Sequence, residues 1–331
     1  MNDDQRQAVT KRRGSVLVTG CAGFLGSHLC EALLAHGHAV TGIDCFTDYY
    51  PRALKEANLA GLRRAPGFRL VEADIARVPL ASLVGDVNVV FHLAAQAGVR
   101  NSFGGGLSPY LHHNVRGTER LLEAVADLQP AAFVYASSSS VYGDQDVYPV
   151  GEDASLRPLS PYGATKVITE QLAGAFWRSH GVPVVGMRYF TVYGPRQRPD
   201  MAFSRFISRA LEGRPLPVLG DGHQVREFTY VADVVDATIA AAERGDRGAV
   251  YNVGGGQAVA LHEVIGVLED LLDRPLAVEH SEAGLGDPRR TEADVSRANR
   301  DLGYRPSTPL AEGLACQIEY VQARTKIGAA V

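Results

Sequence analysis

The sequence predicts an α/β fold built on a doubly wound parallel sheet, and three observations support this prediction. Apolar runs with almost no polar alternation, such as VNVVFHLAA at 87–95, are typical of parallel strands that are buried on both faces. Segments with helical periodicity, such as FLGSHLCEALLAH at 24–36, alternate with these runs. A glycine-rich turn at 20–26 joins the first run to the first helix. Such alternation indicates a sheet covered by helices on both faces.

The elements follow one another in a regular order along the chain. Strands are predicted at 15–20, 38–44, 68–74, 87–95, 131–137 and 182–190, and helices at 24–36, about 110–128, 161–180 and near 201–212, 231–243 and 261–272. Pro and Gly become denser from about residue 195, which predicts a smaller C-terminal α/β substrate-binding lobe. We therefore assign residues 14–190 to a Rossmann domain, 191–325 mainly to this lobe, interleaved with the sheet, and 1–13 to a flexible tail.

The composition is ordinary for a soluble globular protein. The 331 residues are 46% hydrophobic, and their formal charge of -4 gives no indication of a nucleic-acid or lipid surface. No apolar segment is long enough to span a membrane. We expect a small-molecule partner, with neither nucleic acid nor membrane involved.

The cysteines and histidines show no metal-ligand pattern. We expect the cysteines to be reduced, in a cytoplasmic protein: Cys21, Cys30, Cys45 and Cys316. His112 and His113 are adjacent, and we expect them to face different directions on a helix. No metal site is predicted.

The turn after the first strand has the spacing of a dinucleotide site. Gly20, Gly23 and Gly26 form G-x-x-G-x-x-G, where glycine lets the backbone and the helix N-terminus approach a pyrophosphate. Asp44 ends the next strand, and a carboxylate there accepts hydrogen bonds from the ribose hydroxyls and repels a 2′-phosphate, which favours NAD over NADP. Asp74 ends the third strand and is either an adenine-side contact or a solvated loop carboxylate.

The stretch Ser160-Pro161-Tyr162 predicts the start of a helix, with a capping serine and proline at the first position. Tyr162 and Lys166 then lie one turn apart on one face. A nearby ammonium and a nicotinamide cation would lower the phenol pKa from roughly 10, so that Tyr162 serves as a general base. The alternative is a buried tyrosine followed by an exposed lysine.

Together with the glycine turn and Asp44, five further motifs resemble the extended short-chain dehydrogenase/reductases that act on nucleotide sugars: HLAA (92–95), SSVYG (139–143), Y-x-x-x-K (162–166), RYFTVYGPRQRP (188–199) and GDGHQVREFTYVADV (220–234). The resemblance implies catalytic roles for Tyr162, Lys166 and Ser138. It also implies that NAD contacts Gly20, Gly23, Phe24, Leu25, Gly26, Asp44, Asp74, Ile75, Leu93, Ala94, Ala95, Tyr162 and Lys166.

Two serines distinguish reactions within this family. Its 4,6-dehydratases carry Asp-Glu at the positions of Ser139 and Ser140, and its UDP-glucuronate decarboxylases carry Glu at the second. Neutral hydroxyls are poor acids and bases for elimination, so the sequence favours epimerisation at C4. Decarboxylase and dehydratase are weaker alternatives. A catalytically silent NAD-binding scaffold is the alternative from another class, and the intact Tyr162, Lys166 and Ser138 argue against it.

Within the family, the motifs are most similar to UDP-glucuronate 4-epimerases. Thr191 stands where UDP-glucose 4-epimerases usually have Asn, and a rim of Ser137, Ser138, Ser139 and Thr191, with Arg100, would bind the sugar carboxylate. The expected reaction is UDP-glucuronate to UDP-galacturonate through a 4-keto intermediate that rotates before the hydride returns. The second choice is UDP-glucose or UDP-N-acetylglucosamine 4-epimerase.

Epimerisation requires that the nucleotide stay anchored while the sugar turns. Arg226 is the leading candidate for a ligand of the diphosphate. Arg198, Arg289 and Arg290 are further candidates, but each could equally well be a solvated surface charge with no ligand. The stretch EAGLGDPRR (282–290) lacks an arginine just before GD, which leaves the clamp incomplete. Phe203 and Phe206 would flank the uracil. The resemblance also implies a homodimer formed through the helices near 110–128 and 161–180.

Overall fold

The computed structural model describes residues 14–282 and 284–326; the predicted tail at 1–13 lies outside them. Within these residues a seven-stranded sheet, parallel throughout, has the order β11-β6-β5-β4-β1-β2-β3. Its strands are β1 (Ser15–Thr19), β2 (Ala39–Asp44), β3 (Phe68–Glu72), β4 (Val87–His92), β5 (Ala132–Ser138), β6 (Val184–Tyr189) and β11 (Val250–Val253). Short pairs use β7 (Val192–Tyr193), β8 (Leu216–Leu219), β9 (Val225–Glu227), β10 (Thr229–Tyr230), β12 (Ala258–Ala260) and β13 (Val278–Ser281).

The α-helices of the described chain are α1 (Phe24–Ala35), α2 (Arg52–Leu59), α3 (Ala81–Val84), α4 (Leu107–Tyr110), α5 (Gly117–Ala126), α6 (Pro161–His180), α7 (Ala202–Leu211), α8 (Val231–Arg244), α9 (Leu261–Leu272), α10 (Ser296–Leu302) and α11 (Leu310–Lys326). None of the helices in the described ranges is long and apolar enough to cross a membrane.

Two helical layers cover the central sheet. Leu29 and Leu33 of α1 and Ala241 of α8 belong to the core on one face. Leu121 of α5 and Ala173 of α6 belong to the core on the other face. Burial on both faces explains why the strands read as continuous apolar runs. The predicted doubly wound α/β fold is confirmed.

A second core lies C-terminal to the main sheet. It is built from α7, α9 and α11 around β8 and includes Phe203, Ile207, Leu216, Val264 and Leu314. The chain passes between the two cores more than once, because α8 covers the central sheet and β11 adds its outermost strand beside β6. The predicted lobe at 191–325, expected to be interleaved with the sheet, thus contributes segments to both cores, and the assignment of domains remains a prediction.

The predicted helix at 110–128 is not one regular helix. The chain forms α4, then a π-helix at Leu111–Arg116, then α5. A local change of hydrogen-bond spacing carries no strong sequence signal, because the same apolar residues serve both geometries. The fourth strand also ends earlier than predicted, at His92, because the chain turns there over β1: Leu93 N donates to Thr19 O (3.2 Å).

His92 is a buried polar link between β1, β4 and α5. Thr19 Oγ1 donates to His92 Nδ1 (2.8 Å), and His92 Nε2 donates to Thr118 Oγ1 (2.9 Å), in the tautomer that leaves both hydroxyls satisfied. Burial, together with the nearby Lys166 ammonium, lowers the pKa of His92 to about 3. The folded protein therefore holds this ring neutral.

We expect His92 to make the fold sensitive to acid. The unfolded chain binds a proton at this ring below a pKa of 6.5, whereas the folded chain does so only near 3. The free energy of unfolding should therefore fall by about 1.4 kcal/mol per pH unit as the pH drops through this window. In His92→Asn that slope, measured by urea denaturation from pH 7.5 to 4.5, should be shallower than in the wild type. The exposed His36→Asn serves as control, and equal slopes in all three proteins would contradict this assignment.

Candidate active site

A cavity of about 400 Å³ opens at the carboxyl edge of the central sheet. Parallel strands end at the same edge, so residues that follow β1, β2, β4 and β5 meet there. The cavity volume lies within the range of small-molecule sites, roughly 300–1,000 Å³. Its lining includes every predicted cofactor residue except Asp74: Gly20, Gly23, Phe24, Leu25, Gly26, Asp44, Ile75, Leu93, Ala94, Ala95, Tyr162 and Lys166.

The glycine turn has no space for side chains at two positions. Gly20 has φ +73°, and a Cβ there would lie 2.8 Å from Ala94 N. A Cβ at Gly26 would lie 2.1 Å from the Gly20 carbonyl oxygen. Gly23 is the N-cap of α1 and offers no side-chain acceptor to its first amides. The cradle is therefore made of backbone and a helix N-terminus, which fits the pyrophosphate of NAD.

Asp44 is fixed at the cavity edge by the backbone on either side of it. Asp44 Oδ2 accepts a hydrogen bond from Ala22 N (3.0 Å), and Asp44 Oδ1 accepts one from Phe46 N (2.8 Å). The first bond ties the carboxylate to the glycine turn. This position, beside the pyrophosphate cradle, fits a carboxylate that binds the adenosine ribose of NAD.

Asp74 stands beside the cavity and pairs with a histidine. Partial burial raises the pKa of Asp74, but the His112 hydrogen bond and the Ala76 amide together lower it more, so the net pKa lies below its usual value.

The expectation that His112 and His113 face different directions is wrong, because the chain is π-helical there and their ring centroids lie 4.8 Å apart. Ligand atoms of Asp74, His112 and His113 lie within 4.8 Å of one another, a set able to hold a metal ion. The direct bond between Asp74 Oδ2 and His112 Nε2 (2.7 Å) accounts for this grouping, and we assign no metal to it.

Tyr162 and Lys166 lie one turn apart on α6, as the start signal predicts. Ser160 Oγ accepts from Gly163 N (3.0 Å), and Pro161 is the first helical residue. Lys166 is only 4% exposed, so the alternative of an exposed lysine does not hold. Its Nζ donates to Ala136 O at 2.8 Å, which anchors the ammonium between α6 and β5.

Burial shifts both side chains towards their neutral forms. Burial lowers the pKa of Lys166, the Glu170 carboxylate offsets part of this effect, and the resulting pKa is about 8. Burial raises the pKa of Tyr162, and the Ser138 hydroxyl and the Arg198 guanidinium offset only part of this effect. The expected lowering of the phenol pKa is thus not produced by the protein groups alone, because desolvation of the phenolate outweighs them. A cation bound in the cavity would act in the lowering direction.

The four serines at the end of β5 have different surroundings. Ser138 caps a short 3-10 turn, and its Oγ accepts from Ser140 N and donates to Ser140 Oγ, each at 3.1 Å. Ser138, Ser139 and Ser140 line the cavity and are half-buried. Ser137 is 3% exposed and donates to Glu170 Oε1. Ser137 also lines the cavity, so its contact with a sugar carboxylate stays a prediction, although its hydroxyl already donates to Glu170.

The far end of the cavity is lined by residues that follow β6. Thr191 and Arg198, both predicted substrate contacts, lie there. Arg198 is paired through Nε and Nη2 with the two carboxylate oxygens of Asp200, each at 3.0 Å. Tyr49 also donates to Asp200 Oδ2 (3.2 Å) and lines the cavity. Tyr49 is not among the residues predicted from the sequence. Its loop follows Asp44 at the end of β2, and this position at the carboxyl edge of the sheet was a signal that could have identified it.

Six other predicted substrate contacts lie outside the cavity lining. Phe203 and Phe206 are 1% and 2% exposed within the second core, so neither ring offers a face to uracil. An amphipathic helix signal alone does not separate a core aromatic from a ligand contact. The four arginines lie as follows: Arg226 pairs with Asp287 (2.8 Å), Arg289 is 83% exposed beside Asp221, Arg290 pairs with Glu292, and Arg100 reaches the segment at Gly284.

The burial of Lys166 should cost stability. The unfolded chain binds this proton up to a pKa of 10.5, whereas the folded chain releases it near 8. Stability therefore rises with pH across this window. We expect Lys166→Met to raise the free energy of unfolding at pH 7 by roughly 1–3 kcal/mol, with the gain shrinking between pH 8 and 10. Urea denaturation at pH 7, 8 and 10 measures it; a variant less stable at pH 7, with an unchanged pH dependence, would contradict the assignment.

Several known proteins are similar to this chain in sequence. Residues 16–254 match the NAD dependent epimerase/dehydratase family. A protein of Bacillus subtilis (strain 168) named as an uncharacterized UDP-glucose epimerase is 44% identical over 308 residues, which cover 92% of this chain and 97% of the relative. The UDP-glucuronate 4-epimerase of Thermodesulfobacterium geofontis (strain OPF15) is 37% identical over 306 residues, which cover 91% and 94%.

A solved structure is similar over the same length. The UDP-glucuronic acid 4-epimerase of Bacillus cereus, crystallised with UDP-glucuronic acid and NAD, has a TM-score of 0.91 and 41% identity, covering 93% of this chain and 99% of that one. A tyrosine-to-phenylalanine mutant of that enzyme was crystallised with UDP-4-deoxy-4-fluoro-glucuronic acid and NAD. The family match spans more than half of the chain, and both sequence relatives exceed 30% identity. This chain therefore belongs to the NAD dependent epimerase/dehydratase family.

Proposed function

We propose that this chain is an NAD-dependent 4-epimerase that converts UDP-glucuronate to UDP-galacturonate. One observation carries the proposal: the cavity joins Tyr162, Lys166 and Ser138 to a sugar end lined by hydroxyls. Asp44, at the cofactor end, is the one carboxylate among the described residues of the lining. Oxidation and reduction at C4 need no further acid or base, whereas elimination of water does. The similarity to enzymes named as UDP-glucuronate 4-epimerases supports this assignment.

Three residues of the chain would remove and return the proton of the C4 hydroxyl. NAD, when bound, supplies the hydride acceptor and then the hydride donor. Tyr162 would take the proton of the C4 hydroxyl and later return it to the same oxygen, after the keto sugar has turned its opposite face to the cofactor. Lys166, anchored on Ala136 O, holds a positive charge beside the developing phenolate. Ser138, held by Ser140 N, shares the proton with Tyr162.

The hydroxyls at the sugar end would hold the carboxylate of the substrate. Oxidation of glucuronate at C4 gives a β-keto acid, which loses CO2 when the carboxylate bond lies parallel to the carbonyl π system. Ser139 and Thr191 line this end from β5 and β6 and can donate hydrogen bonds to the carboxylate. By fixing its orientation they would keep the enzyme an epimerase.

A second substrate is favoured by one comparison. The Bacillus subtilis relative, at 44% identity, carries the name of a UDP-glucose epimerase. The same Tyr162, Lys166 and Ser138 would serve UDP-glucose, because C4 chemistry does not involve C6. Thr191, a donor suited to a carboxylate, is the residue that makes glucuronate our first choice.

Assembly and location complete the proposal. We propose a homodimer formed through α5 and α6 and the turns before α5. Leu111 and Ile168 support it, because both are large apolar side chains about 40% or more exposed. We also propose a cytoplasmic location, which the four unpaired cysteines support.

The proposed activity is tested by incubating the protein with NAD and UDP-glucuronate, UDP-glucose or UDP-N-acetylglucosamine and identifying products by NMR. We expect UDP-galacturonate from the first, without CO2. Tyr162→Phe should lower kcat by ~10²–10⁴-fold, because the general base is lost. Tyr251→Phe is the matched control, since this buried phenol lies outside the cavity lining. A 4-keto-6-deoxy sugar or a pentose would refute the proposal.

The carboxylate role predicts a change of product. Thr191→Ala should raise the ratio of CO2 to UDP-galacturonate severalfold, because the 4-keto intermediate would reach the orientation that loses CO2. Thr191→Ser keeps the hydroxyl and should keep the wild-type ratio. The measurement is capture of CO2 from labelled UDP-glucuronate, and an unchanged ratio with unchanged kinetics in Thr191→Ala would show that the hydroxyl is not needed.

A further inference from the structure

A buried ion pair includes Glu170, the residue one turn beyond Lys166 on α6. Arg188 of β6 donates to both carboxylate oxygens of Glu170, from Nε to Oε1 (2.9 Å) and from Nη2 to Oε2 (2.7 Å). The two side chains are 6% and 5% exposed. Arg188 Nη1 donates in turn to the hydroxyl of Tyr142 (2.7 Å) and to Glu152 O (2.8 Å). Each guanidinium nitrogen and both carboxylate oxygens thus have a hydrogen-bond partner.

The position of Glu170 relates it to the catalytic residues. Tyr162, Lys166 and Glu170 follow one another at intervals of four residues on α6, which places them along one face. Ser137, next to the Ala136 carbonyl that anchors Lys166, donates to Glu170 Oε1. One network therefore joins the carboxylate to the strand and to the helix that position the lysine.

Stability alone does not explain this pair. Burying two charges costs desolvation that their attraction repays poorly, and apolar residues of similar volume would pack at least as well. Lys166, however, is a third buried charge, and its ammonium has little solvent to stabilise it. Of the charged groups around it, Glu170 is the one whose field raises the pKa of Lys166.

We propose that Glu170 is a positioning residue for the proposed epimerase reaction: fixed by Arg188 and Ser137, its carboxylate keeps the Lys166 ammonium charged and in place behind Tyr162. The inference rests on the proposed function, because that function assigns Lys166 its role. The charged and titratable groups that interact with Lys166 are Glu170 on its own helix and His92 on β4. Those around its helix neighbours are Tyr135 on β5 and Arg188 on β6, beside Glu170, and Arg198 beyond β7, beside Tyr162. His92 and Tyr135 are buried and neutral, so neither replaces Glu170 as a counter-charge.

The test is the pH profile of kcat in variants of the full chain with NAD and UDP-glucuronate. Glu170→Gln removes the charge but leaves Arg188 buried without its partner, so a double variant, Glu170→Gln with Arg188→Gln, removes both charges. Without the carboxylate, Lys166 should lose its proton at lower pH, and the alkaline limb should move down by about one pH unit. At pH 8, where the wild-type lysine is about half protonated, kcat should fall roughly fivefold, while KM for the sugar stays within about twofold because Glu170 does not line the cavity.

Two further variants separate charge from structure. Glu170→Asp keeps a carboxylate and should restore most of the alkaline limb. The matched control is Glu31→Gln with Arg196→Gln, an ion pair of 2.7 Å that lies outside the cavity lining; its profile should equal that of the wild type. A folded double variant with the wild-type alkaline limb overturns the inference. If the wild type itself does not turn over UDP-glucuronate with NAD, the proposed function is overturned instead.

Discussion

The parallel direction of the central strands is the constraint on which the site depends. Because β2, β1, β4, β5 and β6 run the same way, their carboxyl ends share one edge, and each delivers one part of the site there. Asp44, Ser138 and Thr191 come from three different strands yet line one cavity. The glycine turn closes this edge, since Gly20 touches the backbone at Ala94 and leaves no room for a side chain.

The chemistry of the site requires buried charge, and the fold supplies it at a cost. Lys166 loses its hydration on entering the space between α6 and β5, and burial also disfavours the phenolate of Tyr162. The Glu170–Arg188 pair offers that lysine a fixed counter-charge without placing a carboxylate in the cavity. The distance between the Glu170 carboxylate and the cavity matters, because a carboxylate beside the sugar could act as an acid or base in elimination steps that a 4-epimerase does not use.

Local patterns predicted most of the fold and the cofactor end of the site. The bounds of α6 follow from Ser160 and Pro161 at one end and Gly181, in the left-handed conformation with φ 70°, at the other. The strands were visible because burial on both faces removes polar alternation. The substrate end was harder: Phe203 and Phe206 looked available, yet they pack into the second core. Contacts between segments far apart in sequence decide such cases, and no local signal reports them.

The sequence by itself determined which segments form the strands of the central sheet. It also determined the glycine turn, the helix that carries Tyr162 and Lys166, and the neutral hydroxyls at Ser139 and Ser140. These depend on residues close together in the chain, whose spacing is set by backbone geometry. Only the tertiary structure decided that Ser137 donates to Glu170, that His112 pairs with Asp74, and that Arg188 pairs with Glu170. Those choices depend on which side chains meet across strands and helices, and burial, not spacing, sets their energies.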